Sequence, residues 1–252
     1  MPKYTLLEMT QNILSDMSSD EVNSIDDTIE AVQVAQIIKD TYFNIIDGRD
    51  WPHLYELFQL NGSTDNLKPT HMSLPSDVID ISWIKYNCKT ASDTQDKYRK
   101  MVYKAPETFI DILNTRSSDA DNVLVVIDDS DVALNIFTDR APMYYTSFDN
   151  EKIIMDAYDI DVDTSLQNSK TQCYGKVYPT WTQDDGFIPD LPTQSFSLLL
   201  NEAKAACFIK LQQTADPKAE QYAVTQRRRM SQDAWRVSGG ITYPNYGKKG
   251  HK

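Results

Sequence analysis

Residues 193–235, TQSFSLLLNEAKAACFIKLQQTADPKAEQYAVTQRRRMSQDAW, contain the pattern that decides how the rest of the chain is organised. Apolar residues recur here at intervals of three and four, which is typical of helices with one buried face. Thr193 is the expected N-cap of the first helix, and Asp216-Pro217 is a typical start for the second. The pattern predicts two consecutive helices, and each needs partners to cover its apolar stripe.

Matching apolar stripes lie at the other end of the chain. The same periodicity predicts helices over residues 6–17 and 28–46, and Asp47-Gly48 ends the second of them. Because these helices also have only one apolar face each, we expect them to pack against the C-terminal pair.

Between the two helical regions the period changes to that of strands. The alternation predicts strands, a short helix at 106–113, and turns at Asn61-Gly62 and Asp128–Asp131; the strands expected are 54–60, 78–86, 123–127, 132–137, 144–148, 153–158 and 173–178. The fold class expected is α+β, with the N- and C-terminal helices packed as one helical bundle and a central antiparallel β-rich insertion. The expected domains are a discontinuous helical domain (1–53 and 191–238), a β-rich insertion (54–190) and an extended C-terminal tail (239–252).

Charge is distributed unevenly along the chain. The 252 residues have a net charge of −12, but residues 1–216 carry −18 and residues 217–252 carry +6. A strongly acidic body argues against a protein that wraps DNA or lies on an anionic membrane, because both surfaces would repel it. No apolar run approaches the roughly 20 residues of a membrane span, and the first residues lack the apolar segment of a signal peptide. We therefore expect a protein that is made in the cytoplasm.

Motifs for catalysis are absent from the sequence. The 8 glycines form neither a dinucleotide-binding fingerprint nor a P-loop, no G-x-S-x-G appears, and the 3 histidines lack metal-ligand spacing. The acidic segment 159–163 begins like a calcium loop, but Thr164 stands where the loop requires glycine and Lys170 where it requires glutamate. We interpret it as a strand or turn with a solvated acidic face. The aspartates at 128–131 are interpreted as hairpin-turn residues that bond the local backbone, with a metal site there as the less favoured alternative. We expect no enzymatic activity, metal or cofactor, and Cys207 is expected to be a buried apolar residue rather than a reactive thiol.

Arg227, Arg228 and Arg229 are the most concentrated basic feature. One interpretation is a solvated helix face, where cations near the C-terminal half also suit the helix dipole. The other is an interaction site, because three consecutive side chains on a helix point in three directions. At least one of them is then expected to meet a partner or an acidic neighbour. The sequence leaves both interpretations open.

The order of these segments resembles that of a known family. A helical pair ends in RDWP at 49–52, a β insertion contains LP at 74–75 and YYTSFD at 144–149, and two C-terminal helices precede a tail. This arrangement resembles the head-to-tail adaptors of tailed bacteriophages, called tail tubular protein A or the gateway ring in short-tailed phages. The resemblance implies a dodecameric ring beneath the portal protein, a central channel for genome DNA, and a tail nozzle or tail-tube protein below, with tail fibres as further neighbours.

The resemblance also implies that the C-terminal end docks to the portal. Gly239 and Gly240 would form a hinge, and the docking residues would be Arg227, Arg228, Arg229, Tyr243, Tyr246, Lys248 and Lys249. DNA would pass the acidic channel without specific binding, and this structural protein would reside in the neck of the virion. The competing hypothesis is a phage-encoded glycan-binding module or hydrolase that uses the aromatic-rich β region of a chain with 14 tyrosines and 4 tryptophans.

Overall fold

The computed structural model describes the backbone of residues 3–48 and 50–238 and, among these, the side chains up to Ser231. The fold is mixed α+β, as the sequence predicts, with N- and C-terminal helices on either side of a β-rich middle. The chain divides into two compact units, a helical unit (Met1–Leu54 and Pro179–Lys252) and a β-rich unit (Tyr55–Tyr178). Among the described residues, no helix combines the length and apolarity that crossing a membrane requires.

Of the five α-helices in the part of the chain that the structure describes, four belong to the helical unit. In chain order the helices are α1 (Leu6–Asp16), α2 (Ile29–Asp47), α3 (Pro106–Asn114), α4 (Phe196–Gln212) and α5 (Pro217–Ser238). The central helix is α4, which packs against α1, α2 and α5. Because it has neighbours on several sides, its buried residues are not confined to one narrow stripe; they include Leu198, Leu199, Ala203, Ala205 and Cys207.

Threonine side chains cap the N-terminal ends of α1 and α2. At α1 the backbone N–H of Thr5 donates to Glu8 Oε2 at 2.8 Å, and the N–H of Glu8 donates to Thr5 Oγ1 at 3.2 Å, which is a capping box. Thr28 caps α2 through its side-chain oxygen. Thr193 does not act as the expected N-cap of α4. It begins a single 3₁₀ turn, and α4 begins at Phe196 without a side-chain cap.

Residues 179–190 belong to the helical unit, whereas the sequence pattern predicts that they are part of the β-rich insertion. The first N–H groups of a helix have no partner within it, and the N–H of Leu6 donates to the Phe187 carbonyl at 2.8 Å. The Asp185 carboxylate accepts the backbone N–H of Ile25 at 2.8 Å. The segment therefore satisfies the start of α1 and the link before α2, a role that no local pattern indicates.

The β-rich unit contains short strands arranged in three sheets. The strands are β1 (Tyr55–Phe58), β2 (Asn61–Gly62), β3 (His71–Ser73), β4 (Val78–Asn87), β5 (Tyr98–Lys100), β6 (Val102–Tyr103), β7 (Val123–Ile127), β8 (Ala133–Phe137), β9 (Tyr144–Thr146), β10 (Lys152–Met155) and β11 (Thr171–Val177). One sheet has the order β1-β11-β4-β5, a second has the order β2-β3-β10-β9-β6, and β7 pairs with β8. All these pairs are antiparallel except β6 with β9.

The expected strands 123–127 and 132–137 pair as the hairpin β7–β8, and those expected at 144–148 and 153–158 pair as the hairpin β9–β10. The expected short helix at 106–113 and the strand near residue 173 are also confirmed. The expected turn at Asn61-Gly62 is instead the strand β2, and residues 98–100, which are not among the expected strands, form β5. Both strands are short and polar, so their pairing with β3 and β4 stabilises them more than their own composition does.

The longest pairing in this unit joins β4 to β11, and it has a register shift at Tyr174 and Gly175. A Cβ atom on Gly175 would lie 2.0 Å from the backbone oxygen of Asp80, so only glycine allows the two strands to approach this closely. On the inner face of this pair, Cys173 lies opposite Ile84, and both are fully buried in the apolar core of the unit.

Candidate docking surface on the C-terminal helix

The helix α5 begins at the signal that the sequence predicts. The Asp216 carboxylate accepts the backbone N–H groups of Lys218 and Ala219 at 3.0 and 3.2 Å, which satisfies two donors of the first turn. Ala219, Ala223 and Met230 are buried and define the inner face of the helix. The small alanines allow α5 to lie close against α4.

The three arginines of α5 point in different directions because successive helical residues rotate by about 100°. Arg227 lies beside α4, where its Nη2 atom is 2.7 Å from Glu202 Oε2. Arg228 and Arg229 are exposed and form no ion pair within the described part of the chain. Arg228 is on the side opposite the buried stripe, and Arg229 is on the flank away from Glu202. The expectation that one arginine meets an acidic neighbour is thus confirmed for Arg227.

A shallow groove runs along one flank of α5. It has a volume of about 630 Å³ and is lined by Glu202, Ala223, Val224, Arg227, Arg228 and Ser231. The floor is apolar, the rim has two guanidinium groups and one carboxylate, and Val224 is 55% exposed. Arg227 is already paired, so Arg228 is the cation that can bind an acidic partner at this groove.

Tyr222 is a further residue of this surface. The apolar pattern of α5 predicts it on the buried stripe, but its side chain is 60% exposed. The stripe centres on Ala219, Ala223 and Met230, so Tyr222 falls on the flank that it shares with Arg229. Residues 222 and 229 are seven positions apart, which is nearly two full helical turns. Their positions around the helix axis therefore predict that they share one flank.

The other predicted docking residues lie outside the described residues. They are Tyr243, Tyr246, Lys248 and Lys249, together with the hinge glycines Gly239 and Gly240 and the whole proposed tail (239–252). Arg49, the first residue of the RDWP segment, is also outside. The described candidate surface is therefore limited to the arginine triplet, Tyr222 and the groove.

The acidic segment at residues 159–163 is a closed turn. Asp163 pairs with Lys170, the residue that stands where a calcium loop requires glutamate. The Asp159 carboxylate accepts the backbone N–H of Asp161 at 3.2 Å. Both interactions occupy carboxylates that a cation would need. Over the described residues, no group of three or more histidine, cysteine or acidic side chains is placed to hold a metal ion.

The aspartates in the turn between β7 and β8 differ in their exposure to solvent. Asp129 and Asp131 are exposed, and Asp129 pairs with both Lys68 and Lys152. Asp128 is buried, and its carboxylate lies 2.9 Å from the Nε2 atom of His71. The expected bonding to the local backbone does not describe the Asp128 carboxylate, because His71 reaches it from β3.

The aromatic side chains of the β-rich unit form a ladder across one sheet. Tyr55, Tyr174 and Trp83 lie on β1, β11 and β4, with centroids of neighbouring rings 5.8 Å apart. Trp83 and Tyr174 are inclined by 20°, and Lys85 Nζ lies 4.7 Å from the centre of the Trp83 ring. The rings and the lysine cover ring faces on which a sugar would have to stack, so this ladder does not favour a glycan-binding platform.

The cysteines have no features of nucleophiles. Burial raises the pKa of Cys173 and of Cys207 to about 12, and it also raises the pKa of the partly exposed Cys88. A thiol with a raised pKa is rarely in the reactive thiolate form. Cys207 is fully buried on α4, as the sequence predicts.

No protein-family model matches this chain, and no curated protein matches it significantly. The candidate function depends on the arrangement of its segments and on the charges and exposed surfaces described above.

Proposed function

We propose that this protein is a structural head-to-tail adaptor of a tailed bacteriophage. In this proposal it forms a ring of identical subunits, twelve in the virion, that joins the portal protein to the tail nozzle or tail tube. The observation that carries it is the organisation of the chain. The first and last helices build one unit, a β-rich unit is inserted between them, and an exposed basic helix leads into the C-terminal residues. This is the arrangement that the resemblance to the adaptor family implies.

The charges support a passive role toward the genome. A body with a net charge of −18 over residues 1–216 repels DNA phosphates, so a channel lined by it lets DNA slide without specific binding. In the proposal the protein is made in the host cytoplasm and resides in the neck of the virion, where tail fibres are further candidate neighbours.

The basic end supplies the docking contacts. Arg228 and Arg229 are exposed on α5, and the residues that follow include Tyr243, Tyr246 and Lys248. In such a contact, aromatic anchors provide most of the affinity, and cations mainly affect the encounter rate and its salt dependence. The portal surface that receives this end should be acidic.

Truncation after Ser238 tests the docking role. We expect the shortened chain to bind the portal protein encoded by the same genome at least about tenfold more weakly than the full chain at equal salt, because the anchors are removed. Arg228→Glu should slow the encounter, whereas Lys210→Glu, a matched charge reversal at an exposed position of α4, should not. Binding would be followed by surface plasmon resonance.

The truncation also separates the proposal from its competitor. Equal portal binding by the full and shortened chains would refute the docking role of the C-terminal end. Failure of the full chain to bind the portal, together with a melting temperature that rises with an added glycan, would favour the glycan-binding module or hydrolase. Negative-stain images of the protein mixed with the portal protein would show directly whether a ring forms.

A further inference from the structure

Two lysines face each other on the outer side of the four-stranded sheet. Lys85 of β4 lies directly opposite Lys100 of β5 in the register, so their Cβ atoms are about 5 Å apart. Neither lysine forms an ion pair with any described residue. Like charges directly opposite each other destabilise a sheet. Within the described chain Lys85 contacts the Trp83 ring but no carboxylate pairs with either lysine, and an acidic group from another molecule would relieve the repulsion.

An apolar and aromatic surface adjoins these lysines. Leu57 lies opposite Tyr174, and Tyr174 lies opposite Trp83, so the three share the outer face with Lys85. Leu57 is 72% exposed. A large exposed leucine beside Tyr and Trp edges is typical of a protein interface rather than of a solvated sheet. We call this surface the basic face; it consists of Leu57, Tyr174, Trp83, Lys85 and Lys100.

The hairpin β7–β8 presents a surface of opposite charge. Val125 and Ile127 alternate with the buried Val126 and are 41% and 49% exposed. Asp119 and Asp121 precede the hairpin, both are exposed, and neither forms an ion pair with a described residue. We use the name acidic face for the exposed Asp119 and Asp121, which precede β7, together with the exposed Val125 and Ile127 of that strand.

The two faces belong to the same unit, share no residue and are complementary. Each has an apolar centre, and their charged residues have opposite signs. We propose that the basic face of one copy binds the acidic face of a second copy. Such a contact uses two different surfaces, so it repeats from copy to copy and closes into a ring when the rotation allows. It rests on the proposed function, for which it names the lateral contact between subunits.

A single-stranded nucleic acid is the other occupant that lysines and aromatic rings suggest. Its bases would have to stack on open ring faces. On the basic face Trp83 is covered by Lys85 on one side and stacks against Tyr174, so the rings present their edges. Edges and an exposed leucine suit apolar side chains of a protein, and this favours the second copy.

Charge reversal on each face, separately and together, tests the contact. The basic-face variant is Lys85→Glu/Lys100→Glu, and the acidic-face variant is Asp119→Lys/Asp121→Lys. Self-association would be measured by sedimentation velocity at low salt, both for the protein alone and after addition of portal protein. Each variant should associate at least about tenfold more weakly than the natural chain, because its reversed face meets a like charge. The quadruple variant restores the net charge of −12 and should regain association.

Matched controls separate this contact from general charge effects. Lys210→Glu/Lys218→Glu and Asp20→Lys/Asp26→Lys change the net charge equally at exposed positions of the helical unit. Both should associate like the natural chain. Circular dichroism checks that every variant is folded. In addition, a carbodiimide joins lysine amines directly to carboxylates, and in a mixture of isotopically light and heavy chains it should link Lys85 or Lys100 of one copy to Asp119 or Asp121 of another.

The outcomes are separable from those of the proposed function. The inference is wrong if the natural chain does not self-associate in either setting, if the variants associate normally, or if the quadruple variant is not rescued. It is also wrong if a fluorescent oligonucleotide binds the natural chain and Lys85→Glu/Lys100→Glu abolishes that binding but not self-association. Normal portal binding with any of these results leaves the adaptor proposal intact. Rescue of self-association without portal binding would refute the adaptor proposal alone.

Discussion

Replacing Asp156 by asparagine should strongly destabilise the β-rich unit. Arg116 and Asp156 form an ion pair with an Nη2–Oδ2 distance of 2.8 Å, and their side chains are only 5% and 6% exposed. The second carboxylate oxygen accepts the backbone N–H groups of Met143 and Tyr144 at 2.9 and 2.8 Å. The guanidinium also lies 4.0 Å from the centre of the Phe137 ring. This network joins the loop after α3, the strand β8 and the segments on either side of the hairpin β9–β10.

The expected loss in the free energy of unfolding follows from the burial of the Arg116–Asp156 pair. Asparagine keeps one oxygen for the two backbone N–H groups, but its NH₂ group would face the guanidinium, donor against donor. The charge-assisted hydrogen bond is lost, which costs about 1.5–3 kcal/mol, and a buried cation remains without its counter-charge. Removing one partner of a buried pair typically costs about 3–5 kcal/mol, and we expect a loss in this range in the free energy of unfolding. Burial already lowers the pKa of Arg116 even with Asp156 present, which agrees with the sign of the effect.

Urea denaturation followed by tryptophan fluorescence and circular dichroism measures this loss. The matched control is Asp139→Asn, which breaks the neighbouring pair with Arg140 at a similar distance of 2.7 Å but with side chains 43% and 49% exposed. An exposed pair contributes less than about 1 kcal/mol, so the control should be nearly neutral. The reasoning is refuted if Asp156→Asn costs less than about 1 kcal/mol, or if the two substitutions have equal effects.

Three further predictions concern caps, backbone and thiols. Asp216→Ala should cost about 1 kcal/mol of stability and increase amide hydrogen exchange in the first turn of α5, because two backbone donors lose their acceptor. Gly175→Ala should cost at least about 2 kcal/mol in urea denaturation, because the added Cβ meets backbone that cannot move aside; a smaller loss would contradict the close approach. At pH 8 a thiol with a pKa of about 12 is about 0.01% thiolate. In the native protein iodoacetamide should therefore label Cys88 first, and it should label Cys173 and Cys207 only after denaturation. Mass spectrometry measures the order of labelling.

The sequence alone was sufficient to predict where the helices and the hairpins lie in the chain. The helices α1, α2 and α5 begin within one or two residues of the predicted positions, because caps and apolar periodicity act over one to three turns. The hairpin β7–β8 is similarly local, since its turn joins two strands that are adjacent in the chain. The divergence of the arginine triplet also follows from helical rotation alone.

Tertiary structure decided the features that join distant parts of the chain. No local pattern shows that β1 pairs with β11, which is more than 110 residues away, or that Glu202 is the neighbour of Arg227. The same holds for Lys85 and Lys100, which become opposed only through the pairing of β4 with β5. Asp128 and Asp129 have equal turn propensity, yet one is buried against His71 and the other is exposed between two lysines. The physical reason is that a cap or a turn is stabilised by neighbours in sequence, whereas pairing and burial depend on which apolar faces the folded chain brings together.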